Sequence, residues 1–199
     1  MRPGLSALVI LPFFCLFENG CRNNNIETYQ VPKESTMAGG SMMLPDTGVP
    51  ASSKEVGWKV PRGWKEQAPS TMRVGSFLIK GANGQGADMS VVPLSGEAGG
   101  DLANINRWRG QINLSPISAT DLSAQSETIT PGGRKMLYID FVSHDLLVDN
   151  QFKKRLMAAI YHREGRTWFF KMVGEDATVL SAKPAFMQFL KSLKFNENN

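Results

Sequence analysis

His144 and His162 are the only two imidazoles in a chain of 199 residues, and acid–base or metal chemistry would have to begin with them. They lie apart in sequence, with neither HxH nor HExxH spacing, so a His-based metal site would need carboxylates delivered by the fold. A serine nucleophile on a strand-to-helix elbow would carry a GxSxG pattern, and the chain has none. Two glycine-rich stretches, "ANGQG" (82–86) and "SGEAGG" (95–100), match neither GxGxxG nor GxxxxGK[ST], which leaves the Gly and Asn of tight connections as their reading. No catalytic residue, metal ligand or cofactor is assigned on these grounds.

The densest cluster of recognition-type side chains is "NINRWRGQINL" (104–114), two arginines around a tryptophan. On a helical projection Leu102, Ile105, Trp108 and Ile112 share one apolar arc, which makes Trp108 a core anchor. Asn104, Arg107 and Gln111 project together as a polar ridge and form the candidate partner surface. Arg109 projects between Leu102 and Ile105, on the buried side. Either its stem snorkels to the edge or its guanidinium is fixed by a carbonyl or carboxylate acceptor, the expected arrangement, with Asp140 and Asp88 the first carboxylates to supply it.

The two cysteines add a different chemistry. Cys15 falls inside "LSALVILPFFCLF" (5–17), an apolar run behind Arg2 with the length of a signal-peptide core. Cys21 follows at the end of "ENGC" (18–21). The arrangement resembles a bacterial lipoprotein signal, in which a small residue, here Gly20, precedes a cysteine that becomes acylated and, after cleavage, the new N-terminus. The resemblance implies lipid attachment at Cys21, palmitate among the acyl chains, and a cell-envelope location with the folded part outside the cytoplasm. Glu18 departs from the aliphatic residue usual three positions before the cysteine, so simple secretion after cleavage near Gly20 is the alternative. A chain starting at Cys21 has no second thiol, which excludes internal disulfides and CxxC redox chemistry.

These residues need positioning elements, and the sequence sorts into three parts: a lipoprotein-type signal peptide at 1–20, a flexible tether at 21–55, and a single domain at 56–199. The middle part is polar and rich in turn formers, without a period of 2 or 3.6, and a flexible chain of that length has a root-mean-square reach of about 30 Å. From Val56 onward the pattern changes. "GWKVPRGWK" suggests a short strand entering a turn, and "MRVGSFLIKG" and "ADMSVVPL" two extended segments joined by "ANGQG". After the helix come four strand candidates, "ETIT", "KMLYIDFVS", "RLMAAIYH" and "RTWFFKMV", with "PGGR" and "REGR" as turns. The last element is a helix whose stripe is Val179, Ala182, Phe186, Phe189, Leu190 and Leu193. Pro184 lies inside it and predicts a kink, or a new helix starting near Lys183. The predicted class is α+β: a twisted antiparallel sheet with two main helices packed on it.

"GWKVPRGWKE", "MRVGSFLI", "ANINRWRGQINL" and "FMQFLKSLKF" resemble a group of uncharacterised exported bacterial domains with a Mog/PsbP-like layout. The resemblance spans residues 56–195, rests on aromatic anchors, and implies the fold; members of that wider fold have unrelated roles, so it implies no activity. The formal net charge is +4 and no run of four or more Lys/Arg occurs, which argues against a nucleic-acid groove. The expectation is a membrane-anchored envelope module that binds an unidentified protein or small ligand, with an exported hydrolase of unrecognised site as the alternative.

Overall fold

In the computed structural model of the chain, residues 55–196 are described. The leader, Cys21 and all of the expected tether before Glu55 lie outside the described residues. Nine strands and three α-helices follow one another in the described part. They are β1 (Val56–Gly57), β2 (Trp64–Glu66), β3 (Gly75–Lys80), β4 (Gly86–Ser95), α1 (Asp101–Gly110), α2 (Ala119–Gln125), β5 (Glu127–Ile129), β6 (Met136–Val148), β7 (Phe152–Arg163), β8 (Arg166–Glu175), α3 (Asp176–Ser192) and β9 (Lys194–Phe195). Seven strands make one antiparallel sheet in the order β2-β3-β4-β8-β7-β6-β5, and β1 pairs with β9 in a separate ribbon. The class is α+β.

Turn chemistry sets this register. β7 and β8 are joined by Glu164 and Gly165, both at positive φ, the two-residue connection whose twist matches paired strands. "ANGQG" closes β3 onto β4 through a single 3-10 turn at Ala82–Gly84. Between β4 and β8 the backbones approach so closely at Gly174 that a Cβ there would sit 2.3 Å from the Gly86 carbonyl oxygen. Glycine at that position is therefore a requirement of the pairing.

Helices pack on both faces of the sheet, and alternation along each strand splits the core in two. Phe77, Met89, Tyr138, Met157, Phe170 and Met172 point to one side, where α3 lays down Val179, Ala182, Phe186, Phe189, Leu190 and Leu193. All six residues of that helical stripe are buried. Ile139, Phe141, Leu156, Ala158, Ile160 and Phe169 point to the other side and meet Ile105, Trp108 and Ile112 of α1 and the turn after it. Trp108 stands edge-on to Phe169, with ring centroids 5.2 Å apart.

One expectation is extended and two need correction. A third helix, α2, joins the two predicted ones. It is seven residues long and buries none of them, so it has no apolar stripe to reveal it. Its sequence mark is the capping box, in which Ser118 and Asp121 bond each other's backbone amides. α3 runs unbroken from Asp176 to Ser192, with no new helix starting near Lys183. Pro184 and Leu180, whose carbonyl loses its partner, both face solvent, so water can take up the freed acceptor. Arg109 is buried, as projected, but Asp140 and Asp88 do not hold it. Its Nε donates to the Ser115 carbonyl at 2.8 Å, its Nη1 to Gln125 Oε1 at 3.2 Å, and its guanidinium lies 4.7 Å from the Phe141 ring centre. Both carboxylates are committed elsewhere, Asp88 to Arg73 and Asp140 to Arg155 and Lys183.

Candidate functional site

α1 covers only part of its sheet face. It lies over β6, β7 and β8 and reaches the end of β4, where Val92 and Leu94 pack against the same core; β2, β3 and the start of β4 add no residue to it and form the open half. The register reads out what that open half displays. Lys65, Leu78, Asp88 and Val173 form one row across the strands, and Ser76, Ser90 and Lys171 the next. Leu78 is 46% exposed in the middle of this surface, and the segment leading into β3 adds Met72 at 63% and Val74 at 37%. Three such side chains left in water within one short stretch of chain are the unusual observation, whereas scattered single ones are not.

The charge of the open half is lopsided. Arg73 bonds Asp88 at 2.9 Å. Lys171 stands at the wall formed by α1, donating to Gln111 Oε1 at 2.9 Å with its ammonium 5.9 Å from the Trp108 ring centre. Burial pushes that ammonium below its ordinary pKa; Arg73, Arg107 and Lys154 push the same way, and Asp88 alone opposes them. Lys65 and Lys80 extend the positive field along the outer strands and are exposed.

The three residues of the expected ridge divide here. Arg107 and Gln111 are exposed at the rim of the open half. Asn104 is buried. The Ala98–Gly100 loop folds over the first turn of α1, and Asn104 Nδ2 donates to the carbonyls of Ala98 and Gly100, both at 2.8 Å, while its Oδ1 accepts from Arg107. Its role is to close that loop. Arg73, Lys154 and Lys171 went unrecognised in the sequence. The signal for Lys171 was its alternation with Phe169 and Val173 on the face opposite Trp168, Phe170 and Met172.

Two polar clusters look like chemistry and act as structure. His162 Nδ1 lies 3.0 Å from Thr167 Oγ1 and its Nε2 3.0 Å from Asp101 Oδ1, a Thr–His–Asp sequence of groups. The Thr167 hydroxyl is fully buried and donates to the Gly96 carbonyl at 2.7 Å, so a nucleophile's approach to substrate is closed to it. The cluster clasps the start of α1 to the β7–β8 hairpin. The second is Asp140, which accepts from Arg155 at 2.6 Å, from Lys183 at 3.0 Å and from the Tyr138 hydroxyl at 3.3 Å. Arg155 in turn reaches Asp176 at 2.6 Å, tying the start of α3 to the sheet. Every member has its partner, which marks a fastening between layers.

Among the described residues, no group of three or more His, Cys, Asp or Glu could hold a metal ion, and no helix is long and apolar enough to cross a membrane. A concave feature lies between the turn before β6 and the end of α3, a cleft of about 460 Å³ lined by Lys59, Gly132, Arg134, Gln188, Lys191, Ser192, Leu193 and Lys194.

The chain matches no protein-family model and no curated protein. It is similar to several solved structures at 12% identity. One is LpqN of Mycobacterium tuberculosis, described as involved in cell envelope biogenesis (TM-score 0.46, covering 71% of this chain and 83% of that one). Another is the cyanobacterial PsbP, CyanoP, of Synechocystis (TM-score 0.43, 73% and 89%). A third is a Bacteroides thetaiotaomicron protein (TM-score 0.43, 72% of this chain), of whose length this chain spans 46%.

Proposed function

We propose that this chain is a membrane-anchored envelope lipoprotein whose folded domain docks an acidic partner protein across the open half of its sheet. Anchoring is supported by the apolar run at 5–17 followed by Gly20 and Cys21, the pattern of an exported chain acylated at its new N-terminus. The binding half of the reading is carried by one observation: exposed Met72, Val74 and Leu78 stand among Lys65, Arg73, Arg107 and Lys171, with Asp88 the carboxylate that faces them. Exposed apolar side chains beside an excess of positive charge suit a partner that brings acidic residues to its rim.

The two halves separate experimentally. Mass spectrometry of the membrane fraction should yield an acylated peptide beginning at Cys21; an unmodified cysteine would leave secretion as the route. For docking, a photo-crosslinker at position 78 should give a defined adduct with an acidic protein in intact envelopes. The pair Lys65→Glu and Arg107→Glu should abolish that adduct while leaving the melting temperature unchanged. Adducts indifferent to the charge reversal would overturn the surface assigned here.

A further inference from the structure

The cleft at the end of α3 has a different character from the open sheet. Four of its lining residues are cations, Lys59, Arg134, Lys191 and Lys194, and none is a carboxylate. Arg134 is not neutralised by an acid; it donates to the carbonyls of Leu193, Pro131 and Gly132, with its guanidinium 5.8 Å from the Phe195 ring centre. Its position is fixed and its charge intact. Helix capping accounts for part of this. Basic groups at a helix C-terminus answer a dipole worth about half a negative charge, which explains Arg134 and Lys191. It does not account for Lys59 and Lys194, which come from outside the helix and bring the total to four charges around one concavity.

The place of the cleft in the chain narrows what fills it. Lys59 follows Val56, the first residue of β1, by three positions, and its backbone amide donates to Ser192 Oγ at 2.9 Å. β1 pairs with β9, which carries Lys194. The described chain begins at Glu55, whose carboxylate pairs with Arg166 and whose carbonyl accepts from the Asn196 amide, so the segment leading back toward Cys21 enters on the β1–β9 ribbon, four residues before Lys59. We infer that the cleft binds the anionic headgroups of the bilayer, seating the domain against the membrane to which it is tethered. This rests on the anchored reading above, since a membrane surface must be close at hand. A concentrated array of anionic headgroups is what these four cations, none paired with a carboxylate among the described residues, would meet on a domain tethered through the same ribbon, at about 1 kcal/mol per basic residue.

The test uses the unacylated chain from Cys21 to Asn199, so that any membrane binding owes nothing to a lipid anchor. It should co-sediment with vesicles of phosphatidylglycerol and phosphatidylcholine, not with phosphatidylcholine alone, and binding should weaken as salt is raised. Lys191→Glu with Lys194→Glu should lower the apparent affinity by about 25-fold or more. Lys65→Glu with Lys80→Glu, an equal charge change on the open sheet, should leave it within about twofold, with thermal melts confirming that both variants fold. Equal losses in the two pairs, or loss only in the sheet pair, would overturn the assignment. So would tight binding of inorganic phosphate at low millimolar concentration without vesicle binding, which would make a soluble anion the ligand. Because the anchor is absent, vesicle binding stands or falls independently of whether Cys21 is acylated.

Discussion

Arg109 is a buried cation held by neutral acceptors, the carbonyl of Ser115 and the amide oxygen of Gln125. Burial lowers its pKa and Asp121 opposes that shift, yet a guanidinium remains charged under any ordinary condition. Its work is to pin the segment after α1, through Ser115, and the end of α2, through Gln125, onto the Phe141 ring. Arg109→Ala removes both bonds and strands a carbonyl at the edge of the core, so a loss of about 2–3 kcal/mol is expected in denaturant melts. Asn104→Ala should cost about 1–3 kcal/mol for the same reason, because the Ala98 carbonyl loses its donor and the Gly100 carbonyl keeps only the backbone amide of residue 104. Arg107→Ala, at an exposed position, should stay within about 0.5 kcal/mol. If Arg107→Ala proved the most damaging of the three, the burial described for α1 would be wrong.

Elements were legible in the sequence where periodicity was strong and local. The α3 stripe and the alternations in β6 and β8 follow from side-chain spacing alone, since every residue in them reports its own face. Sequence could not reveal that Leu137, Ile139 and Phe141 face α1 while Trp168, Phe170 and Met172 face α3, because the strand register decides it. The candidate site was legible only at its rim, in Arg107 and Gln111. Its floor joins the consecutive strands β2, β3 and β4 to β8, which is distant in sequence, and an open sheet half has no motif. Asn104 was misplaced because a helical projection knows nothing of a loop folding back over the helix. Pro184 is the element's own test. It interrupts the hydrogen-bond ladder on the solvent face of α3, where no packing depends on its ring. Pro184→Ala should restore that bond and raise stability by about 1–2 kcal/mol, less than the full interior penalty because proline also restricts the unfolded chain. The denaturant midpoint should rise with an unchanged slope; a lower midpoint would mean that the ring contributes packing or that a bend there is needed.

At the scale of the whole molecule, α3 is fastened to the sheet by two ionisable devices that titrate at opposite ends of the pH range. At its start, burial works to raise the pKa of Glu175, but the Thr178 hydroxyl and the Ala177 and Thr178 amides outweigh it, and the carboxyl is held below its ordinary value. A depressed folded pKa means that the unfolded chain binds the proton more readily. The stability from this cap is therefore present above about pH 4.5, the ordinary carboxyl range, and is lost as pH falls through the folded value. Further along, burial, then Asp140 through both its charge and its hydrogen bond, raises the Tyr138 phenol, with Arg155 opposing. Here the folded state holds the proton more tightly, so that contribution is full below about pH 10 and is lost as pH rises toward the folded value. Stability should thus be flat across neutral pH with an acid limb and an alkaline limb. Glu175→Gln should flatten the acid limb and leave the alkaline one, and Tyr138→Phe should do the reverse. Chemical denaturation at pH 3, 7 and about 11 for the three proteins reads this directly. If both substitutions lowered stability equally at every pH, the two groups would be acting as packing and neutral hydrogen bonds, with no proton linkage between α3 and the sheet.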